Sequence, residues 1–142
     1  YGSKDEKWFT NCTQNDIGCI DSLPISGKRL IISKSYKDCR VLRNQGLNSV
    51  WFQNEGMLPK PTLIVQLCKR FDEIIVWFDN DEAGLKSCKI VVNYINSLFP
   101  GKAKALHLDT FLLKQGIKDP SDLISKKGKT ELIEFLKNKK LL

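Results

Sequence analysis

The sequence predicts an α/β fold, with about four mostly parallel strands flanked by helices on both faces of the sheet. Apolar runs of strand length alternate with stretches of helical periodicity along the chain, which is the pattern of a sheet built with crossover helices. The connections have the lengths that right-handed crossovers need. The chain has 142 residues, of which 42% are apolar, so one ordinary domain can form a proper core.

Each expected strand is a short apolar run, and each expected helix has apolar residues three or four positions apart. The last helix is expected to begin at Thr130, a residue type that caps helices well. The expected strands cover residues 29–33, 49–53, 74–78 and 103–108, and the expected helices cover 36–45, 63–71, 82–98, a short stretch after the turn at 118–124, and 130–136.

The apolar strand at 74–78 is followed at once by Asp79 and Asp81. An apolar core does not accept two carboxylates, so both must lie at the carboxyl end of the strand. In an open parallel sheet this is the edge where ligands bind. Two carboxylates separated by one residue can hold Mg²⁺ directly or through its waters, while phosphate oxygens of a substrate complete the octahedron.

The chain carries 23 Lys and Arg residues against 16 Asp and Glu residues, a formal net charge of +7. The excess is greatest towards the C-terminus, and beside an acidic site it suggests a polyanionic partner. A solvated lysine-rich surface would give the same composition. Trp51 and Phe52 are candidates for base stacking if they are exposed, but they fit an internal strand of the core equally well.

Five cysteines and one histidine do not form a zinc-binding pattern. Cys39, Cys68 and Cys88 fall in expected helices, so we interpret them as small core residues of a protein from a reducing compartment. No apolar run approaches the roughly 20 residues that span a bilayer, and no signal peptide is apparent. We therefore expect a soluble, intracellular protein that does not bind membranes.

Two motifs, together with the distance between them along the chain, resemble the TOPRIM domain of bacterial and phage-type DNA primases and primase-helicases. One is Phe78-Asp79-Asn80-Asp81-Glu82-Ala83-Gly84, and the other is Lys118-Asp119-Pro120-Ser121-Asp122. A strand, a tight turn and a helix containing Lys37-Asp38 precede them, as in that family. The resemblance covers roughly residues 23 to 125 and implies a Rossmann-like TOPRIM fold.

The domain boundaries that follow divide the chain into three parts. Residues 29–125 are expected to form the TOPRIM domain. Residues 1–28 are expected to be an N-terminal extension or the remnant of a preceding segment, and residues 126–142 a basic C-terminal helix.

The resemblance implies nucleotidyl transfer in RNA primer synthesis during DNA replication. Asp79 and Asp81 would hold one or two Mg²⁺ or Mn²⁺ ions, and Asp119 or Asp122 would join them. The implied partners are a single-stranded DNA template, nucleotides and other primase or helicase domains, in the cytoplasm or a phage replication complex. The basic residues that would then face the template are Arg40, Arg43, Lys86, Lys89, Lys126, Lys127 and Lys129.

Lys34 departs from the family pattern, in which a glutamate closes the first strand. A lysine can neither bind Mg²⁺ nor act as a carboxylate base. It can clamp a phosphate as a catalytic residue, as phage-type members with Lys-Ser at this point suggest, or it can pair with an aspartate in place of the metal. Alternatively, another acid such as Glu55 supplies the missing carboxylate. For Lys34 to reach the aspartates, strands 29–33 and 74–78 must be neighbours.

Two other functions remain open. Lys34 is compatible with a TOPRIM module that binds nucleic acid without catalysis. The fold is also compatible with a TOPRIM nuclease. A phosphatase with an Asp-x-Asp nucleophile fits poorly, because that motif normally closes the first strand of its domain and here it closes the third.

Overall fold

The structure is a computed structural model, and it describes residues 17–18, 23–52 and 61–142. Its centre is a sheet with the strand order β1-β3-β2-β4-β5. The last four of these strands are parallel, and the two-residue β1 is added antiparallel at the edge. The expected mostly parallel sheet is therefore confirmed. The strands are β1 Ile17–Gly18, β2 Gly27–Ser33, β3 Ser49–Phe52, β4 Phe71–Trp77 and β5 Ala103–Ala105.

Helices follow the parallel strands along the chain, as crossover connections require. The helices are α1 Tyr36–Asn44, α2 Pro61–Arg70, α3 Glu82–Leu98, α4 Thr110–Lys114, α5 Pro120–Lys127 and α6 Lys129–Asn138.

The sheet is buried on both faces because alternate residues of its central strands point to opposite sides. In β2, Leu30 and Ile32 join a cluster that contains the inner faces of α2 and α3. Ile31, between them, joins a second cluster on the other face with residues of α1, α4, α5 and α6. Helices on both faces were expected from the sequence, and this prediction is confirmed.

The register between β2 and β4 sets the position of the polar edge. These strands are parallel neighbours, with Ser33 opposite Trp77 at their carboxyl ends. The residues that follow each strand therefore emerge at the same edge of the sheet. The condition for Lys34 to reach the aspartates is met.

Several sequence-based boundaries were wrong, and β4, for example, begins at Phe71 and not at residue 74. β5 ends at Ala105, because the chain then leaves the ladder and the amide of Leu108 donates to Asn80 Oδ1 at 2.9 Å. Thr130 does not cap the last helix. Helix α6 begins at Lys129, and its N-cap is Gly128, whose φ of 92° is a conformation that glycine adopts readily.

The interpretation of three cysteines as core residues is confirmed, since Cys39, Cys68 and Cys88 are free thiols in the buried interior. Burial raises the pKa of the Cys88 thiol to about 11. Among the described residues, no helix combines the length and the apolar character needed to cross a bilayer.

Candidate metal centre

Three carboxylates converge at the carboxyl edge of the sheet. Asp38, Asp79 and Asp119 each present an oxygen, and these oxygens lie within 4.8 Å of one another. Asp38 is in the first turn of α1, Asp79 follows β4, and Asp119 is the N-cap of α5. The group is thus assembled from three separate parts of the chain by the topology of the sheet.

Asp38 is almost completely buried, with 2% of its surface exposed. The hydroxyl of Ser35 donates to its Oδ2 at 3.1 Å. The hydroxyl and the amide of Ser121 donate to its Oδ1 at 2.7 and 3.2 Å. Burial raises the pKa of Asp38 despite these hydrogen bonds. The carboxylate therefore joins the start of α1 to the start of α5.

Asp119 accepts a hydrogen bond from the amide of Asp122 at 2.7 Å, which caps α5. Burial raises the pKa of Asp119 to about 6, and the charges of Asp38, Asp122 and Asp79 add to the effect. Removing the proton from this carboxyl group in the folded protein is costly, because burial takes the charged form out of water and the nearby charges are of the same sign. A cation in the group would reverse that cost.

Asp79 is paired with Lys34, whose ammonium donates to Asp79 Oδ2 at 3.1 Å. The side chain of Lys34 is 35% exposed and that of Asp79 is 17% exposed, so the pair is partly open to solvent. One of the arrangements considered for Lys34 is therefore present in the structure. The lysine offsets part of the negative charge of the three carboxylates.

Asp81, the second aspartate of the Asp-x-Asp motif, lies outside the three-carboxylate group. Its Oδ1 accepts a hydrogen bond from the amide of Gly84 at 2.8 Å and caps α3. Gly84 has to be a glycine at this point, because a Cβ there would overlap the carbonyl oxygen of Asp79. The start of α3 is thus packed directly against the end of β4.

Asn80 connects two loops at this edge. Its backbone N–H donates to the carbonyl of Lys118 at 2.9 Å, and its side-chain Oδ1 accepts from the backbone N–H of Leu108 at 2.9 Å. Together these bonds hold the segment before α5 against the end of β4, which brings Asp119 beside Asp79. No role for Asn80 was predicted from the sequence.

Asp38 was not predicted as a ligand from the sequence either. The available signal was its place in the first turn of the helix after the first parallel strand, which directs the residue to the same edge as Asp79. Asp122 lies outside the group and accepts a hydrogen bond from the amide of Lys118 at 3.1 Å. Glu55 falls outside the residues that the structure describes.

The basic residues predicted to face a template lie on four different helices. Arg43 donates to the carbonyl of Ser49 at 2.9 Å, so it has a structural contact. Trp51 and Phe52 are buried, which confirms the alternative that they are core residues. The remaining basic residues are exposed, namely Arg40 on α1, Lys86 and Lys89 on α3, Lys126 and Lys127 on α5, and Lys129 on α6.

No protein-family model and no curated protein matches this sequence. Solved structures do match it. The primase fragment of the bacteriophage T7 primase-helicase aligns over 86% of this chain with a TM-score of 0.60 and 18% identity. The DnaG primase catalytic domain bound to ssDNA aligns over 88% with a TM-score of 0.65 and 16% identity. A DNA primase domain from Pseudomonas aeruginosa aligns over 79% with a TM-score of 0.60 and 23% identity.

The chain has the TOPRIM fold of bacterial and phage primases. Its TOPRIM fold spans less than half of each of these structures, covering 48%, 40% and 33% of their lengths in the same order. At such low identities the fold is the property that the proteins share. The resemblance seen in the two sequence motifs is therefore confirmed at the level of the TOPRIM fold.

Proposed function

We propose that this chain is the TOPRIM part of a phage-like DNA primase and takes part in nucleotidyl transfer during RNA primer synthesis. The observation that carries this proposal is the convergence of Asp38, Asp79 and Asp119 at the ligand-binding edge of a primase-like sheet. The DnaG neighbour is a complex with ssDNA, and the T7 neighbour is part of a primase-helicase. A single-stranded DNA template, nucleotides and further primase or helicase domains are the proposed partners.

The donor set fits Mg²⁺ or Mn²⁺. Three carboxylates offer only oxygen atoms, which hard divalent cations prefer. Among the contacts described above, the ammonium of Lys34 is the one positive charge that offsets the three carboxylates. The pKa values of Asp38 and Asp119 are raised. A bound Mg²⁺ would supply positive charge that orients nucleotide phosphates and stabilises charge developing during transfer.

The aspartates would have different roles in binding the ion. Asp79 and Asp119 are the more accessible members and would bind it directly. Asp38 already accepts three hydrogen bonds from serines, so its remaining lone pair would complete the set in a fixed orientation. Asp81 uses Oδ1 as a helix cap and would support the site by fixing the start of α3 beside Asp79.

Lys34 would act as an electrostatic clamp on a nucleotide phosphate. Its ammonium is partly exposed and lies 3.1 Å from Asp79 Oδ2, so a phosphate that approaches an ion on Asp79 comes within reach of the same lysine. A compact point charge on a flexible stem suits this task. The basic residues Arg40, Lys86 and Lys89 would contact the template backbone without reading its sequence.

The test is a Mg²⁺ and Mn²⁺ titration followed by NMR of backbone amides. We expect millimolar metal to shift resonances near Asp38, Asp79 and Asp119 in the wild type and not in Asp79→Asn. Asp72→Asn is the matched control, because Asp72 is an exposed acid near the amino end of the same strand β4. Wild-type spectra that show no site-specific shift would remove the catalytic proposal.

The Lys34–Asp79 ion pair favours a second candidate, a TOPRIM module that binds nucleic acid without catalysis. In that case Lys34 takes the place of the ion. Lys34→Glu distinguishes the two functions in the same titration, since replacing the lysine would then create metal binding that the wild type lacks. A nuclease would instead nick plasmid DNA in the presence of Mn²⁺.

A further inference from the structure

Phe111 is an exposed aromatic residue that the core does not use. It lies on the short helix α4, and 67% of its surface is exposed, whereas the next residue, Leu112, packs into the second core cluster. Among the described residues with large exposed apolar side chains, the only other aromatic one is Tyr36, at 36%. The fold therefore presents the Phe111 ring to solvent.

One lysine contacts this ring, and two others are close to it along the helices α4 and α5. The ammonium of Lys127 lies over it, 5.7 Å from the ring centroid. Lys126 donates to the carbonyl of Gly116 at 3.1 Å, which holds its ammonium against the end of α4. Lys114 is exposed three positions after Phe111, so it projects on the same side of α4. One lysine thus contacts the aromatic ring, and two more lie on or against the same short helix.

The nearest acids along these two helices have other partners. Asp109 at the start of α4 is paired with Lys139 at 3.1 Å, and Asp122 on α5 accepts from the amide of Lys118. The surface therefore keeps a positive charge next to a ring that can stack. The lysines can bind the phosphates of a nucleic acid, and the ring can stack on a nucleobase. Only single-stranded nucleic acid exposes the faces of its bases for such stacking.

We propose that Phe111, Lys114, Lys126 and Lys127 form a stacking platform for single-stranded nucleic acid, with one base lying on the Phe111 ring. This inference rests on the proposed function only in taking a nucleic acid as the partner. Helix α5 joins the two regions, because it runs from Asp119 in the carboxylate group to Lys127. At 1.5 Å per residue its eight residues span about 12 Å, so one strand can reach both.

The stacking step is tested with the 142-residue chain and a 12-nucleotide single-stranded DNA, with an abasic DNA of equal length as the comparison. Binding is measured by fluorescence anisotropy at low salt without metal. We expect Phe111→Leu to raise the Kd for the base-containing strand about tenfold and to leave the Kd for the abasic strand within twofold. Phe111→Trp keeps a stacking ring and should restore wild-type binding.

The phosphate contacts are tested by salt dependence. Lys127→Gln should reduce the slope of log K against log salt by roughly 0.7, the change for one lost contact with a single strand. Lys137→Gln is the matched control, because Lys137 is exposed on α6 and is not part of the platform. Its slope should equal that of the wild type.

The outcomes separate this inference from the metal centre. The binding measurements contain no metal ion, so a failed metal titration leaves the platform standing. If Phe111→Leu binds both strands unchanged, or if the wild type binds neither, the platform is refuted and the surface fits a protein partner instead. Equal weakening on both strands would also refute stacking, because an apolar contact alone gives that result.

Discussion

The carboxyl group of Asp119 is held in a state that favours a cation. Burial and three neighbouring carboxylates raise its pKa to about 6 from an ordinary 3.8. Above pH 6 the folded protein must carry this charge without the hydration that it has in the unfolded chain. The same carboxylate that is suited to a metal ion therefore lowers the stability of the metal-free fold.

Asp119→Asn should raise the stability of the metal-free protein at pH 7 by roughly 1 to 2 kcal/mol. Asparagine can still cap α5, so the hydrogen bond from Asp122 is kept. Because the folded pKa is raised, wild-type stability falls as pH rises from about 4 to above 6, and the difference should vanish near pH 3.5. Thermal unfolding in EDTA across this range measures it, with Asp72→Asn as the control. Equal stabilisation at both ends of the range would contradict the mechanism.

The start of α3 is positioned by close packing against the end of β4. Gly84 lies so near the carbonyl of Asp79 that no side chain fits between them. This contact fixes the direction in which α3 leaves the sheet, and with it the positions of Asp79 and Asp81. Gly84 therefore helps to position both Asp79 and Asp81 at the start of α3.

Gly84→Ala should destabilise the fold by about 2 kcal/mol, even though alanine favours helices by about 1 kcal/mol over glycine. The new Cβ would meet backbone atoms, which cannot move aside as the end of a flexible side chain can. Chemical denaturation measures the loss. Asn93→Ala, at an exposed position of the same helix, should stay within about 0.5 kcal/mol. A stabilised Gly84→Ala variant would show that the helix start can shift freely.

The elements that the sequence predicted well are those with a strong local pattern. The apolar run at 74–78 and the periodicity of 82–98 each determine their own type of structure. The end of β5 could not be predicted locally, because the chain leaves the ladder to bond to Asn80, 28 residues earlier. Nor could the order of Asp79 and Asp81 show which carboxylate would join the group, since that depends on how closely α3 approaches β4.

At the scale of the whole molecule, the candidate site depends on distant parts of the chain. Ser121 bonds to Asp38 across 83 positions, and both lie at the edge that β2 and β4 share. The strand-helix alternation predicted that such an edge exists. It could not predict that the first turn of α1 faces the start of α5, because nothing local to either segment encodes the other.

The far side of the sheet depends on the last helix, α6. Leu132 of this helix is fully buried, and Phe135 packs on Trp77 with their ring centroids 5.3 Å apart. The same cluster contains Ile31 from the central strand β2. We therefore expect α6 to unfold together with the sheet in one cooperative transition.

Leu132→Ala should lower the free energy of unfolding by about 3 kcal/mol, because it leaves a cavity in a core shared by α6 and the sheet. Denaturant unfolding followed by both tryptophan fluorescence and far-UV circular dichroism should give one midpoint, shifted equally for both signals. Glu134→Ala, at an exposed position of the same helix, should leave that midpoint nearly unchanged. If circular dichroism reports an early loss of helix while the tryptophan signal keeps its wild-type midpoint, α6 is an independent unit that the sheet does not need.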